Sequence, residues 1–381
     1  MPTPSTAPPI DAVVAGYLGV DLTPGFNSTR NVVPFSELFR PGTLIETEGL
    51  NVSLGGVVAN TGQALLKFGQ RVEFMGCVGN DALGELAITL LAQAGVSRGI
   101  RRTSRAGTAY GLVIAPPGMD RLFLEDPGCN RIFTADDIDY DVVGQSRLFH
   151  FGYPPLMPAL WADGGAELQK LLGRVRHRGV AISLDMTLPD PASPAGRADW
   201  PAILAGTLPL VDIFVPSIEE LLFMLEPKLY TRLLAEAGGG DLLAVIPPEL
   251  YSRLAERVFG LGIKVLLIKA GHRGAYLRTG NLTTLNDPAS ALCLADSVGC
   301  PSGVWIPPFP VAADRFRNAS GAGDCAVAGF LAALLNGVNL KMAGTYAMLA
   351  GRDNLYGQDA VSGLVGWPQM AGVVQKMENT L

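Results

Sequence analysis

Residues 318–335 read NASGAGDCAVAGFLAALL, and the interpretation of this stretch decides the fold. Gly321, Ala322 and Gly323 form a turn of small residues that opens directly into an apolar helix, with Asp324 in its first turn. A helix N-terminus leaves backbone N–H groups without intrahelical acceptors, and those of Gly321, Ala322 and Gly323 converge here. The positive end of the helix dipole acts in the same direction, so the turn suits an anion such as phosphate. Side chains this small let the anion approach the backbone closely. Asp324 carries two readings at this point. As a structural residue it stabilises the helix N-terminus through the dipole. As a catalytic residue it takes a proton from an attacking hydroxyl beside a phosphate-sized hole.

Upstream, LGGVVANTGQALLKFG occupies residues 54–69. Gly55 and Gly56 permit a sharp turn before a helix whose apolar spacing (Val57, Leu65, Leu66, Phe68) stops at Gly69, with Asn60 near its first turn. A Gly-Gly pair also serves as a hinge. Across the chain, strand-like runs alternate with helical ones. AVVAGYL reads as a buried parallel strand whose carboxyl end delivers Asp21, and VEFMGCVG is followed by the helical GELAITLLAQAG. RLFHFG, VAISLD, DIFVP and KVLLIKAG continue the strands between helical ELQKLLGRVRHRG, IEELLFML and LAERVFGLG. Such alternation predicts an α/β fold: a doubly wound, mostly parallel sheet with helices on both faces. Ligands of these sheets bind beyond the carboxyl ends of the strands. TLIETEGLNVSLGG and TAYGLVIAPPGMDRLFLE show β alternation without intervening helices. They predict a small antiparallel β lid from segments at about 30–54 and 105–128, or else a decorative hairpin. Residues 226–249 and 286–308 read as insertions, and residues 1–10 as a flexible leader before one domain over 11–381.

Composition narrows the function classes. Among 381 residues there are 46 Gly and 28 Pro, but 48% of the chain is hydrophobic, which excludes a disordered reading of that excess. A net charge of −6 gives no general attraction to nucleic acid. The basic cluster Arg174, Arg176, His177 and Arg178 lies where a helix ends, a position its dipole favours for cations. No apolar run reaches the roughly 18–20 residues that cross a bilayer, and MPTPSTAPPI lacks the features of a secretory signal. Five cysteines without a C-x-x-C pair point to free thiols in a reducing cytoplasm. The three histidines are isolated, which leaves no zinc constellation. Neither a P-loop nor a dinucleotide fingerprint is present.

A weaker set completes the candidates: Asp21, Glu220 in PSIEE, and Lys269 with Gly271 in IKAGHRG. Each has an ordinary explanation as a cap, a solvated helix face or a turn. Taken in order, however, GYLGVD, LGGVVANTGQALLKFGQRVEFMGCVGNDALGE, VPSIEE, IKAGHRGAYL and NASGAGD resemble the ribokinase/PfkB-type family of sugar and nucleoside kinases.

The resemblance implies a ribokinase-like domain that moves the γ-phosphoryl group of ATP to a hydroxyl of a small carbohydrate. It makes Asp324 the general base and Gly321, Ala322 and Gly323 the anion hole. It places Asp21, Gly55, Gly56, Asn60 and Asn130 on the sugar. Glu220 would order Mg²⁺ through water, with Ser217 at the position of the family's Asn, and Lys269 and Gly271 would lie beside the nucleotide phosphates. Asn318 and Ala319 stand where the family often has Asp-Thr, so a K⁺ site would have the neutral Asn318 as its ligand. The implied partners are a sugar substrate and a second copy docked through the β lid, with no nucleic acid or membrane. A nucleoside acceptor, and a non-catalytic sugar- or nucleotide-binding relative, are the alternatives.

Overall fold

The computed structural model describes residues 9–26, 34–116, 122–287, 290–294, 299–317 and 319–378. Asn318, residues 1–8, and parts of both lid segments (30–33 and 117–121) lie outside the described residues.

The strands, in chain order, are β1 (Ile10–Gly16), β2 (Gly19–Pro24), β3 (Leu50–Gly55), β4 (Val72–Gly79), β5 (Ile100–Thr103), β6 (Tyr110–Ile114), β7 (Leu122–Asp126), β8 (Ser146–Gly152), β9 (Ala181–Asp185), β10 (Ile213–Phe214), β11 (Val265–Lys269), β12 (Ala275–Thr279) and β13 (Val304–Ile306). Nine of them form one sheet in the order β13-β12-β11-β10-β9-β8-β1-β4-β5. Pairing is parallel from β5 through to β11, and antiparallel only at β12 and β13. Ala12, Val13, Val14 and Ala15 of β1 are wholly buried, as expected of a strand covered on both faces. One helical layer contains Gly56–Lys67, Ala322–Leu335 and Leu340–Asn354; another contains Pro158–Arg176, Trp200–Thr207, Ile218–Leu225 and Pro248–Phe259.

The chain first builds outward from β1 to β4 and β5, then returns to lay β8 on the other side of β1. The strand order therefore reverses between β1 and β8, whose last residues Gly16 and Gly152 are paired. The two backbones converge there: a Cβ on Gly16, at φ +128°, would sit 2.3 Å from the Gly152 carbonyl oxygen. Gly152 in turn presses on Val57 at the start of helix Gly56–Lys67.

The smaller sheet runs β3-β2-β6-β7, with antiparallel β2–β3 and β6–β7 pairs joined by a parallel β2–β6 contact. Asp21 belongs to this sheet. The first strand was expected to deliver it, but β1 ends at Gly16 and the chain restarts as β2. Residues 226–249 are not a plain connection but contain helices Pro227–Ala237 and Leu242–Val245, and the 286–308 segment supplies the edge strand β13. The basic helix end is held by aspartates, with Arg174 on Asp136, Arg176 on Asp212 and Arg178 on Asp141. No helix among the described residues is long and apolar enough to cross a membrane.

Candidate active site

In sheets of this kind ligands bind beyond the carboxyl ends of the strands where the strand order reverses, and here the N-terminal turn of helix Ala322–Leu335 meets both Tyr153, which follows β8, and a cavity lined by Ala322 and Gly323. Gly321 is the N-cap in the left-handed conformation (φ +75°), where a Cβ would lie 2.6 Å from that of Ala360. The sharp turn this glycine allows leaves Asp324 buried in the first turn. Three side chains donate to its carboxylate. Asn60 Nδ2 reaches Oδ2 at 2.9 Å, Thr61 Oγ1 reaches Oδ1 at 3.4 Å, and the Tyr153 hydroxyl reaches both oxygens at 2.8 Å. Burial raises the Asp324 pKa above the usual carboxylate range, opposed by the bonds from Asn60 and Tyr153 and by the charge of Lys269.

Helix Gly56–Lys67 brings Asn60 and Thr61 there because its N-terminus fits tightly against the Tyr17 backbone. Gly56 has φ +84°, and a Cβ on it would lie 2.5 Å from the Tyr17 carbonyl oxygen. Gly55 serves the lid: a Cβ would lie 2.5 Å from Asp21 Oδ1, and one on Gly111 3.0 Å from the same atom. Both glycines thus make room for the Asp21 carboxylate. Burial first, then the charges of Glu125 and Asp324, push its pKa up to about 7.

On the other side of Asp324 lies a buried ion pair. Lys269 Nζ, at the end of β11, donates to Asp185 Oδ1 at 2.6 Å, at the end of β9. Burial opposes the lysine charge, but Asp185 and Glu220 outweigh it and raise the pKa of Lys269. Gly323 abuts the same lysine side chain, and Gly271 helps to line the adjacent cavity. Ser217 and Glu220 form a reciprocal capping box at the start of helix Ile218–Leu225. Glu220 N–H donates to Ser217 Oγ at 3.2 Å, and Ser217 N–H donates to Glu220 Oε2 at 2.7 Å. This leaves the other Glu220 oxygen outside the box. Among the described residues no cluster of His, Cys, Asp and Glu forms a ready metal cage. Mg²⁺, however, needs only one or two carboxylates when substrate phosphates complete its shell.

A cavity of 730 Å³ continues from Lys269, Ala322 and Gly323 between Pro308, Phe309 and Met348. Its apolar walls and cationic, N–H-rich floor fit a flat aromatic group carrying a polyanionic tail.

One expected site residue does something else. Asn130 is completely buried: its Nδ2 donates to the carbonyls of Leu18 (2.9 Å) and Pro127 (3.1 Å), while its Oδ1 accepts from Leu18 N–H at 3.4 Å. Both of its polar atoms are thus engaged by backbone, and Asn130, expected on the sugar, ties the chain just before β2 to the chain just after β7. Thr61, Tyr153 and Asp185 were missed. For Asp185 a signal existed, an acidic residue closing the strand-like VAISLD, as with Asp21.

A family model described as "pfkB family carbohydrate kinase" matches residues 26–352. An uncharacterized sugar kinase of Archaeoglobus fulgidus is 23% identical over 282 residues, 74% of this chain and 89% of that protein. A probable fructokinase-4 of Arabidopsis thaliana is 26% identical over 185 residues, 48% of this chain and only 56% of the plant protein. Among solved structures, Arabidopsis thaliana ribokinase complexed with ribose and ATP superposes with a TM-score of 0.67 at 18% identity, covering 96% of this chain and 99% of that one. Fructokinase with bound ATP from Xylella fastidiosa gives 0.68 at 18% identity, with the same coverage. The fold is therefore ribokinase-like.

Breaking one side of the Asp185–Lys269 pair leaves an uncompensated buried carboxylate. Lys269→Met is expected to cost about 3–5 kcal/mol of stability in urea unfolding. Adding Asp185→Asn should recover part of that loss; a double variant no more stable than Lys269→Met would refute the pairing.

Proposed function

The chain belongs to the pfkB family of carbohydrate kinases, and from that premise we propose that it transfers the γ-phosphoryl group of ATP to a hydroxyl of a small carbohydrate. The observation that carries this reading is the buried Asp324 carboxylate at a helix N-terminus, set between the Asp21 side of the cleft and the cavity floored by Lys269 and Gly323.

In this reading Asp324 accepts the proton of the acceptor hydroxyl, and its raised pKa brings it nearer to working pH than an ordinary aspartate. The backbone N–H groups of Gly321, Ala322 and Gly323 receive negative charge on the transferring group. ATP with Mg²⁺ supplies the phosphoryl group and neutralises its oxygens. The apolar cavity holds the base, Lys269 lies along the phosphates, and Glu220 offers its unbonded oxygen to a metal-bound water. Asp21, Asn60 and the backbone at Gly55 and Gly56 bind the sugar hydroxyls, and the lid sheet covers them from water. Lid strand β7 exposes Leu122, Phe123 and Leu124 on one edge of that sheet and β3 exposes Leu50 on the other, which supports a homodimer through the lid.

Three measurements test this. Asp324→Asn should lower kcat by about 10²–10⁴ in an ATP-coupled assay over ribose, fructose and related sugars; a loss within tenfold removes it as the base. Asp21 titrates near neutrality, and a sugar hydroxyl donates to its ionised form. The acceptor KM should therefore fall about tenfold between roughly pH 6 and pH 8, and Asp21→Asn should abolish the dependence. Sedimentation should give twice the chain mass of 40.1 kDa, reverting to one chain in Phe123→Glu; a wild-type monomer at micromolar concentration excludes the lid dimer.

A further inference from the structure

The Asp324 carboxylate is already enclosed by three donors from the protein itself. An ionised carboxylate offers about four lone-pair positions. Asn60 and Thr61 each fill one, and the Tyr153 hydroxyl, with its single proton, lies 2.8 Å from both oxygens and so stands across the side of the carboxylate that faces them both. A general base has to present a lone pair to the hydroxyl it deprotonates, and a hydroxyl approaching the side that faces both oxygens meets the Tyr153 oxygen there. Asn60 and Thr61 sit within a regular helix and are fixed by its packing. Tyr153 instead follows the last residue of β8, and like the acceptor it presents an O–H.

The Tyr153 backbone is held in an unfavourable state. Its φ of 65° and ψ of 36° are left-handed, rare for a bulky side chain. It also directly precedes Pro154, a position that disfavours helical ψ values. Strain of this kind persists where the surroundings dictate it, and here the dipeptide Pro154-Pro155 is buried and Gly152 is wedged against Val57. The strained turn aims the phenol at Asp324.

We propose that the Tyr153 hydroxyl is a stand-in for the acceptor hydroxyl, capping Asp324 until a sugar hydroxyl displaces it. The proposal rests on the reading of Asp324 as the base. While the cap is in place, it keeps water from that side of the carboxylate, where it would compete for the phosphoryl group. The phenol keeps its proton throughout, because burial and the nearby Asp324 and Asp185 carboxylates raise its pKa well above the usual tyrosine range. After displacement Asn60 and Thr61 still orient the carboxylate. Tyr153 is thus a positioning residue that acts through Asp324.

The test is Tyr153→Phe, which keeps the ring and removes the hydroxyl. The other charged or titratable groups around Asp324 and Tyr153 are Lys269 from β11, Asp185 from β9, Asp21 from β2, Glu220 from helix Ile218–Leu225 and Cys325 beside Asp324, and all are unchanged. ATP hydrolysis without acceptor should rise at least about tenfold, since water then reaches a positioned base. Unfolding equilibria at a series of pH values give a readout independent of activity. Burial already makes ionised Asp324 costly, so loss of a donor raises its folded-state pKa further, by about one unit. The variant should then lose stability relative to wild type as pH rises from about 4 to about 8, by about tenfold in the unfolding constant. A stability gap that is constant with pH overturns the proposal, and so does unchanged hydrolysis in an enzyme with Asp324-dependent kinase activity. Where wild type shows no such activity with any sugar, the kinase reading fails, and the pH series alone decides whether Tyr153 caps the carboxylate.

Discussion

The close approach of β1 and β8 at Gly16 and Gly152 is the constraint on which the remainder depends. A side chain at Gly16 would collide with the partner strand's carbonyl, and one at Gly152 with Val57. Only with both absent can helix Gly56–Lys67 seat against the strand ends and extend Asn60 and Thr61 to Asp324, some 260 residues further along the chain. The reversal of strand order at the same place directs the lid strands and the N-terminus of helix Ala322–Leu335 to one end of the sheet. The glycines are thus contact surfaces as much as flexible links, and the backbone is the wall of the cleft.

Around that cleft the carboxylates are separated by environment. Asp185 is ion-paired with a buried lysine, and Asp324 is surrounded by neutral donors. Asp21 meets other acids and no cationic partner among those that shift it, and burial with those charges raises its pKa to about 7. Burial raises the pKa of all three, and they differ in which neighbours add to that rise or oppose it. Lys269 joins the two halves, since its charge acts on Asp185 and Asp324 while its stem borders Gly323.

What the sequence made legible was local. The Gly321–Asp324 turn, the Gly55-Gly56 junction and the alternation of strands and helices follow from steric and dipole rules acting within a few residues. The lid was legible as β structure, but not the break after Gly16 that transfers Asp21 into it, because AVVAGYLGVD reads as one apolar run. Tyr153 closes another strand-like segment and reads as an ordinary core aromatic; its partner is 171 residues distant. Asn130, in a polar turn, looked available to a ligand, whereas its partners are backbone atoms that no side-chain pattern reveals. Ser217 read as a departure from the family motif, and in space it closes a capping box with Glu220.

The Asn130 tether also bears on the mechanics of the lid. Its amide grips the chain immediately before β2 and immediately after β7, the first and last strands of the small sheet in sequence. The sheet is therefore closed at its base, where one side chain fastens the entry of its first strand to the exit of its last. The spacing between those two strand ends is set from within, by an amide that bridges backbone to backbone, and needs no ligand to hold it.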